Sequence, residues 1–127
     1  YNETYEEAQT LNEQQLFNLS QPHLTGDMTF ALFDITPTGI LTTVQFNDGA
    51  VVTGNVLFAV QSGLIVITIQ DVTGGNVDQQ TVFYQDVSAL LMTVLTEALP
   101  ADFISIKTFS MTATGINITV LRPTPLP

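Results

Sequence analysis

Residues 50–72 decide how the chain folds: they read AVVTGNVLFAV from Ala50, then QSG from Gln61, then LIVITIQDV from Leu64. Two runs rich in β-branched and other apolar residues flank a short turn sequence, which is the pattern of a β-hairpin. Neither run approaches the roughly 18 apolar residues that a membrane-spanning helix needs. The pattern therefore predicts a hairpin at the centre of a sheet, covered by the rest of the chain or by another copy of it.

The charge inventory limits the partners that the chain can have. Its 127 residues include two basic and twelve acidic ones, which gives a net charge of −10. Charged residues make up 11% of the chain, against about 25% in a typical protein, so uncharged polar side chains must solvate most of the surface. Phosphate binding needs clustered Lys and Arg, so we expect no nucleic-acid partner and no attraction to an anionic membrane.

Composition also indicates a folded chain. Hydrophobic residues make up 45% of the sequence, which is enough apolar surface to drive collapse, and the length predicts one domain over residues 1–127. The chain has no Cys, so disulfides and thiolate metal sites are excluded. It begins at Tyr1 instead of Met, which we interpret as a processed or excised terminus.

The segment before the hairpin predicts a helix and two strands. Thr4 and Glu7 fit a capping box, and apolar residues continue at helical spacing to residue 19, until Pro22 stops the pattern. We interpret residues 1–22 as an N-terminal helical arm that packs on the sheet or docks on a neighbouring subunit. Strands are predicted at residues 28–35 and 40–46, and Gly54 in the next strand predicts a bulge or the close approach of another backbone.

The segment after the hairpin predicts a further strand at residues 80–84 and then a second helix. Residues 86–99 place apolar side chains on one broad helical face, and Pro100 ends that pattern. Two more strands follow at residues 103–109 and 115–121, and the Pro-rich tail 122–127 is predicted to be extended. The predicted fold class is α+β and β-rich, with an antiparallel sheet or sandwich of six to seven strands, an N-terminal helix and a second helix at about 86–99.

One segment could bind a metal ion. Asp71, Thr73, Asn76 and Asp78 offer hard oxygen ligands within eight residues, and two glycines between them let the backbone wrap. Calcium suits such ligands, although the residue order of an EF-hand is absent. Turns use the same residues for conformational reasons, so a plain turn is the favoured interpretation and no other cofactor is expected.

The sequence contains no recognisable catalytic set. His23 is the only histidine, and no serine or carboxylate lies at a spacing that would bring it to that side chain. Asp27, Asp34, Asp48 and Asp102 flank predicted strands and could include a carboxylate pair for glycoside hydrolysis, but nothing in the sequence sets their separation. We therefore predict that the protein is not an enzyme.

The favoured hypothesis is a structural subunit, extracellular or surface-exposed, that self-associates into a homo-oligomer or polymer such as a filament, coat or matrix. Association would use strand edges and terminal arms, with Ile116, Ile118 and Val120 of the last strand as the predicted contacts. Asn2, Asn18 and Asn117 each begin an Asn-x-Ser/Thr triplet, which makes the chain a glycoprotein candidate.

The alternative hypothesis is an extracellular binding module for an apolar small molecule or a receptor. Its motivation is the apolar composition of residues 56–60 and 64–67, which could line a pocket between a sheet and a helix.

Overall fold

A computed structural model describes residues 3–125 of the chain. The elements in chain order are β1 (Thr4–Asn12), α1 (Glu13–Ser20), a 3-10 turn (Gln21–His23), β2 (Met28–Thr36), β3 (Gly39–Phe46), β4 (Val51–Gln61), β5 (Leu64–Thr73), α2 (Val77–Ala98), β6 (Ser105–Met111) and β7 (Gly115–Pro123). Seven strands in two antiparallel sheets with two helices confirm the predicted β-rich α+β class.

The two sheets differ in how local their pairing is. The four-stranded sheet has the order β2-β3-β4-β5, in which each strand pairs with the next one along the chain. The three-stranded sheet has the order β1-β7-β6 and joins the two ends of the described chain. The predicted hairpin is β4–β5, but only β4 is an inner strand, whereas β5 forms the edge of its sheet.

The hydrophobic core lies between the sheets and the helices. Alternate residues of the inner strands point into it, as the period-two pattern of a strand requires. In β3 the core-facing set includes Ile40, Val44 and Phe46. From α2, Phe83 and Leu91 are fully buried against this core.

Gly54 lies at an irregularity in the central hairpin. The register of β4 against β5 shifts between Thr53 and Asn55, where two steps on β4 face the three steps from Thr73 to Gln70 on β5. A bulge therefore lies opposite Gly54, and its extra residue belongs to β5. A Cβ atom added at Gly54 would lie 2.8 Å from Ile69 Cγ2 and 2.8 Å from Phe83 Cε1. The group that approaches Gly54 closely is therefore the ring of Phe83 on α2, not another backbone.

The predicted N-terminal helical arm is wrong over its first half. Residues 4–12 form β1, which pairs with β7 from Thr4 opposite Pro123 to Asn12 opposite Gly115. The helix begins only at Glu13, where Asn12 and Gln15 form the capping box. Pairing with β7 satisfies the backbone groups on one side of this segment, and that partner lies more than 100 residues away in sequence. The segment is part of a sheet and is not a detachable arm.

The second helix begins nine residues before the predicted position 86. Asn76 and Gln79 form a capping box, so α2 starts at Val77 and includes the predicted strand 80–84, which is a wrong assignment. The predicted tail also begins too early, since Arg122 and Pro123 belong to β7. Residues 126–127 of that tail lie outside the described part. No helix within residues 3–125 combines the length and the hydropathy needed to cross a bilayer.

Candidate functional site

The residues predicted for self-association are in the core instead. Ile116, Ile118 and Val120 are buried, and all three lie on β7. Both edges of β7 are already paired, one with β1 and the other with β6. The prediction is wrong because an inner strand has no unpaired backbone groups to offer a neighbour.

The calcium candidate forms the start of α2. The Asn76 Oδ1 atom accepts a hydrogen bond of 2.8 Å from the Gln79 backbone N–H, so this oxygen caps the helix. Asp71 and Thr73 belong to the last residues of β5, and Asp78 lies in the first turn of α2. Among residues 3–125, no group of three or more His, Asp or Glu side chains lies close enough to hold a metal ion. Calcium binding here stays a prediction.

His23 lines a shallow cavity beside α2. The cavity has a volume of about 240 Å³, and Thr25 and Asp86 also line it. The Thr25 hydroxyl donates a hydrogen bond of 3.0 Å to Asp86 Oδ2. Within the described residues, no hydrogen bond or ion pair joins His23 to a carboxylate, which is the contact that would orient a histidine base.

The four acids considered for glycoside chemistry lie in different structural settings. Asp27 accepts from the Asn47 side chain at 3.3 Å, and Asp48 accepts from the Gln79 side chain at 2.8 Å. Asp34 lies on the exposed side of β2. Asp102 lies before β6 and binds Arg122.

Both basic side chains are bound to acids. Lys107 forms an ion pair with Glu6. Arg122 contacts Asp102 at 2.9 Å and Glu7 at 3.1 Å, and its guanidinium lies 5.8 Å from the centre of the Tyr5 ring. The hydrogen bond from Arg122 lowers the pKa of Asp102 below its usual value. Neither cation is therefore free to neutralise the other acids of the surface.

The Asp102–Arg122 contact predicts a pH dependence of stability. A carboxylate whose pKa is lower in the folded than in the unfolded state stabilises the fold above the unfolded pKa, and this stabilisation is lost as the pH falls through the folded pKa. Wild type is therefore expected to lose more stability than Asp102→Asn between about pH 5 and pH 2, measured by urea denaturation. The control is Asp34→Asn, which removes an exposed carboxylate that neither basic side chain contacts. Equal pH slopes for wild type and Asp102→Asn would contradict the prediction.

Two of the three predicted glycosylation sites are on the surface. Asn18 is exposed on α1 and accepts from the Gln14 side chain at 2.9 Å. Asn117 is exposed on β7 and accepts from the Thr10 hydroxyl at 2.9 Å. Asn2 lies outside the described residues. Glycosylation of these residues stays a prediction.

Three of the four edge strands have features that oppose pairing with another chain. Charged side chains, bulges and covered ends are the usual protections of such an edge. β1 carries Glu6 and Glu7. β2 has a register shift between Phe30 and Leu32, and the Ile35 N–H donates to Glu13 Oε1 at 2.7 Å. β6 is occupied at its start, where the Ile106 N–H donates to Gly63 O at 2.8 Å.

On the fourth edge strand, β5, these features lie only at the two ends. The Gly63 carbonyl oxygen accepts from the Ile106 N–H just before the strand, and Asp71 and a bulge follow residue 70. Residues 64–70 read LIVITIQ and contain no charged residue, Pro or Gly. Ser62 and Gly63, both at positive φ, close a two-residue turn from Gln61 to Leu64. Pairing alternates along an antiparallel hairpin, so the backbone groups of Ile65, Ile67 and Ile69 point away from β4. This edge has the composition typical of strands that pair with other chains.

Two shallow cavities lie between this edge and α2, one near each end of the strand. The helix packs mainly against β5. One flank of α2 is formed by positions that are three or four apart, namely residues 77, 81, 84, 88 and 92. On this flank Val77 is 78% exposed, and Tyr84 and Met92 are also exposed. A cavity of about 330 Å³ lies at one end, lined by residues that include Val72, Val77 and Tyr84. A second of about 220 Å³ lies at the other end, lined by residues that include Leu64, Met92 and Phe103. We call this feature the β5–α2 groove.

The β5–α2 groove was not predicted from the sequence, although one of the two features that define it can be seen there. The uncharged composition of residues 64–70 is visible in the sequence. The strand order is not, and it is the strand order that makes β5 an edge.

Comparison with known proteins adds no assignment to these observations. No family model matches the chain, and neither a curated protein nor a solved structure is significantly similar to it. Within residues 3–125, the β5–α2 groove is a surface feature that offers unpaired backbone and apolar side chains together.

Proposed function

We propose that the chain is a non-enzymatic structural subunit that self-associates through the free edge of β5. The observation that carries this proposal is the uncharged run 64–70 on an edge strand. Unpaired N–H and C=O groups on such an edge act as a template for another strand, and the main-chain hydrogen bonds supply affinity. On β5 the covered end at Gly63, and Asp71 with the bulge, lie outside residues 64–70, so this stretch is the part of an edge at which association costs least.

The proposed assembly lies outside the cell or at its surface. Support comes from the surface, which is solvated mainly by uncharged polar groups, and from the exposed positions of Asn18 and Asn117. The proposal of a non-enzymatic role is supported by the setting of His23, which has no carboxylate hydrogen-bonded to it among residues 3–125.

The test is a lysine on the outer face of β5. Val66→Lys is expected to weaken self-association by about tenfold or more, because a charge on an edge strand must be desolvated when another strand pairs beside it. The measurement is sedimentation velocity over a range of protein concentrations, with electron microscopy of the most concentrated samples.

The matched control is Leu41→Lys. Leu41 is 37% exposed and Val66 is 36% exposed, and Leu41 lies on the same sheet but on the inner strand β3. Both variants change the net charge equally, so a difference between them reports on the edge and not on the charge of the molecule. Equal effects of the two lysines, or a wild type that is monomeric at every concentration, would overturn the proposed function.

A binding module is the second candidate function. The cavity of about 330 Å³ favours it, since it lies at the lower end of the usual range for small-molecule sites and apolar side chains such as Val72 and Val77 line it. A hydrophobic molecule that copurifies with the protein, detected by native mass spectrometry and lost on Val77→Asp substitution, would favour this candidate over self-association.

A further inference from the structure

We infer that β5 pairs with β5 of a second copy of this chain, in a closed two-fold dimer in which the exposed flanks of α2 face each other. This inference rests on the proposed function, and it names the partner and the symmetry of the same edge.

The sequence of β5 is self-complementary when it pairs in the antiparallel direction. A two-fold axis at Ile67 places Ile65 of one copy opposite Ile69 of the other. The same axis places Val66 opposite Thr68, so β-branched residues face each other across the whole centre of the pair. Such cross-strand pairs stabilise antiparallel sheets. The backbone groups of Ile67 point to the free edge, so they are available for this pairing.

The same symmetry brings the two helices together. An axis perpendicular to the sheet keeps α2 of both copies on the same face of the joined sheet, beside the new strand pair. Val77, Tyr84 and Met92 are exposed on the flank of α2 that borders β5, so this flank of one copy meets the same flank of the other. One contact would therefore cover the open strand edge and the apolar helix flank together.

The charge distribution agrees with a second copy as the occupant. Each chain carries a net charge of −10, so two copies repel each other at long range. Residues 64–70 and the flank positions 77, 81, 84, 88 and 92 include no charged residue, so no like charges meet at the contact itself. Salt screens the long-range repulsion, and association is therefore favoured at high ionic strength.

A contact of this kind is closed. A two-fold interface uses the same surface on both copies, so pairing through β5 ends at two chains. The Glu13 contact on β2 opposes further growth from the two remaining edges of the joined sheet, and the acids on β1 oppose pairing at an edge of the separate three-stranded sheet. The unit that any larger assembly would be built from is therefore a dimer with an eight-stranded sheet.

Single cysteines test this arrangement, because the chain has no Cys of its own. Tyr84 and Val82 are 41% and 39% exposed, but their side chains lie about 160° apart around α2, so only Tyr84 is on the flank that borders β5. Tyr84→Cys treated with a short bismaleimide at high ionic strength is expected to give one cross-linked species of twice the chain mass. Val82→Cys under the same conditions is expected to stay uncross-linked, and Val66→Lys added to Tyr84→Cys is expected to abolish the product.

The outcomes separate this inference from the proposed function. Equal cross-linking of the two cysteine variants, or sedimentation of wild type at a mass above two chains, overturns the two-fold dimer while association through β5 stands if Val66→Lys still prevents it. Wild type that is monomeric at every concentration overturns both. A monomer that nevertheless binds a lysine-flanked synthetic peptide of residues 64–70, measured by fluorescence anisotropy, overturns the second copy as occupant and replaces it with an extended peptide of another protein.

Discussion

Phe83→Ala is expected to lower the free energy of unfolding by about 3–5 kcal/mol. The Phe83 ring is fully buried and lies against Gly54 of β4, close to Ile69 of β5. Removing it takes away the transfer free energy of the ring and leaves a cavity where α2 meets the central hairpin. Because Gly54 has no side chain and lies in the inner strand β4, the surrounding backbone has little freedom to collapse into that space.

Urea denaturation followed by circular dichroism measures this loss. The matched control is Val82→Ala on the neighbouring residue, which is exposed, so the expected change is within about 0.5 kcal/mol. Phe83→Leu keeps most of the apolar volume and should cost less than about 1.5 kcal/mol, which keeps the test usable if the alanine variant does not fold. A loss of less than about 1 kcal/mol in Phe83→Ala would contradict the packing of α2 on the β4–β5 hairpin.

The meander β2 to β5 could be predicted because its determinants are local. A period of two in side-chain burial is visible in any strand with one covered face, and Ile40, Val44 and Phe46 follow it. The turns that join these strands are also short. Asp48 and Gly49 supply the hairpin turn before β4, and Ser62 and Gly63 supply the one after it.

β1 could not be predicted, because what makes it a strand lies at the other end of the chain. Tyr5, Ala8 and Leu11 are spaced as on a helix face, but Leu11 is the one buried residue of the three. A helix there would have to be stabilised by packing, since short helices are marginal alone. Pairing with β7 replaces that packing with a complete ladder of partners, and no local pattern contains this information.

The early part of α2 was assigned to a strand for a related reason. Val82, Phe83 and Tyr84 are three residues with high β propensity in succession. Only Phe83 is buried, whereas Val82 and Tyr84 are exposed on opposite flanks of the helix. The local signal that indicates a helix is the capping box of Asn76 and Gln79. It starts α2 several residues before Val82, Phe83 and Tyr84.

The position of the candidate site at a sheet edge could not be predicted from the sequence. The composition of residues 64–70 fits an inner strand as well as an edge, so it favours a central position until the strand order is known. The same limit explains the wrong assignment of association to Ile118 and its neighbours on β7, which has the alternation of an exposed edge strand but two paired edges. An edge is a property of the whole topology and not of any segment.

Gly74→Ala is expected to destabilise the protein by about 2–4 kcal/mol, the second largest effect that the structure predicts. Gly74 has a φ of +89°, a conformation that residues with a side chain rarely adopt. A Cβ atom there would also overlap the backbone carbonyl oxygen of Val51 in β4. That oxygen belongs to a paired strand, so it cannot move aside without disturbing the ladder between β3 and β4.

Gly49→Ala separates the two causes. Gly49 has nearly the same φ, +88°, but an added Cβ there would meet no atom within 4 Å. Its replacement should cost about 1–2 kcal/mol from backbone strain alone, and the excess cost of Gly74→Ala measures the overlap with Val51. Thermal and urea denaturation of both variants give this difference. If Gly74→Ala loses more stability than Gly49→Ala, Gly74 is needed for the close approach to β4 before α2, and a calcium ion is not required to explain it. If the two variants lose equal stability, steric crowding does not explain Gly74.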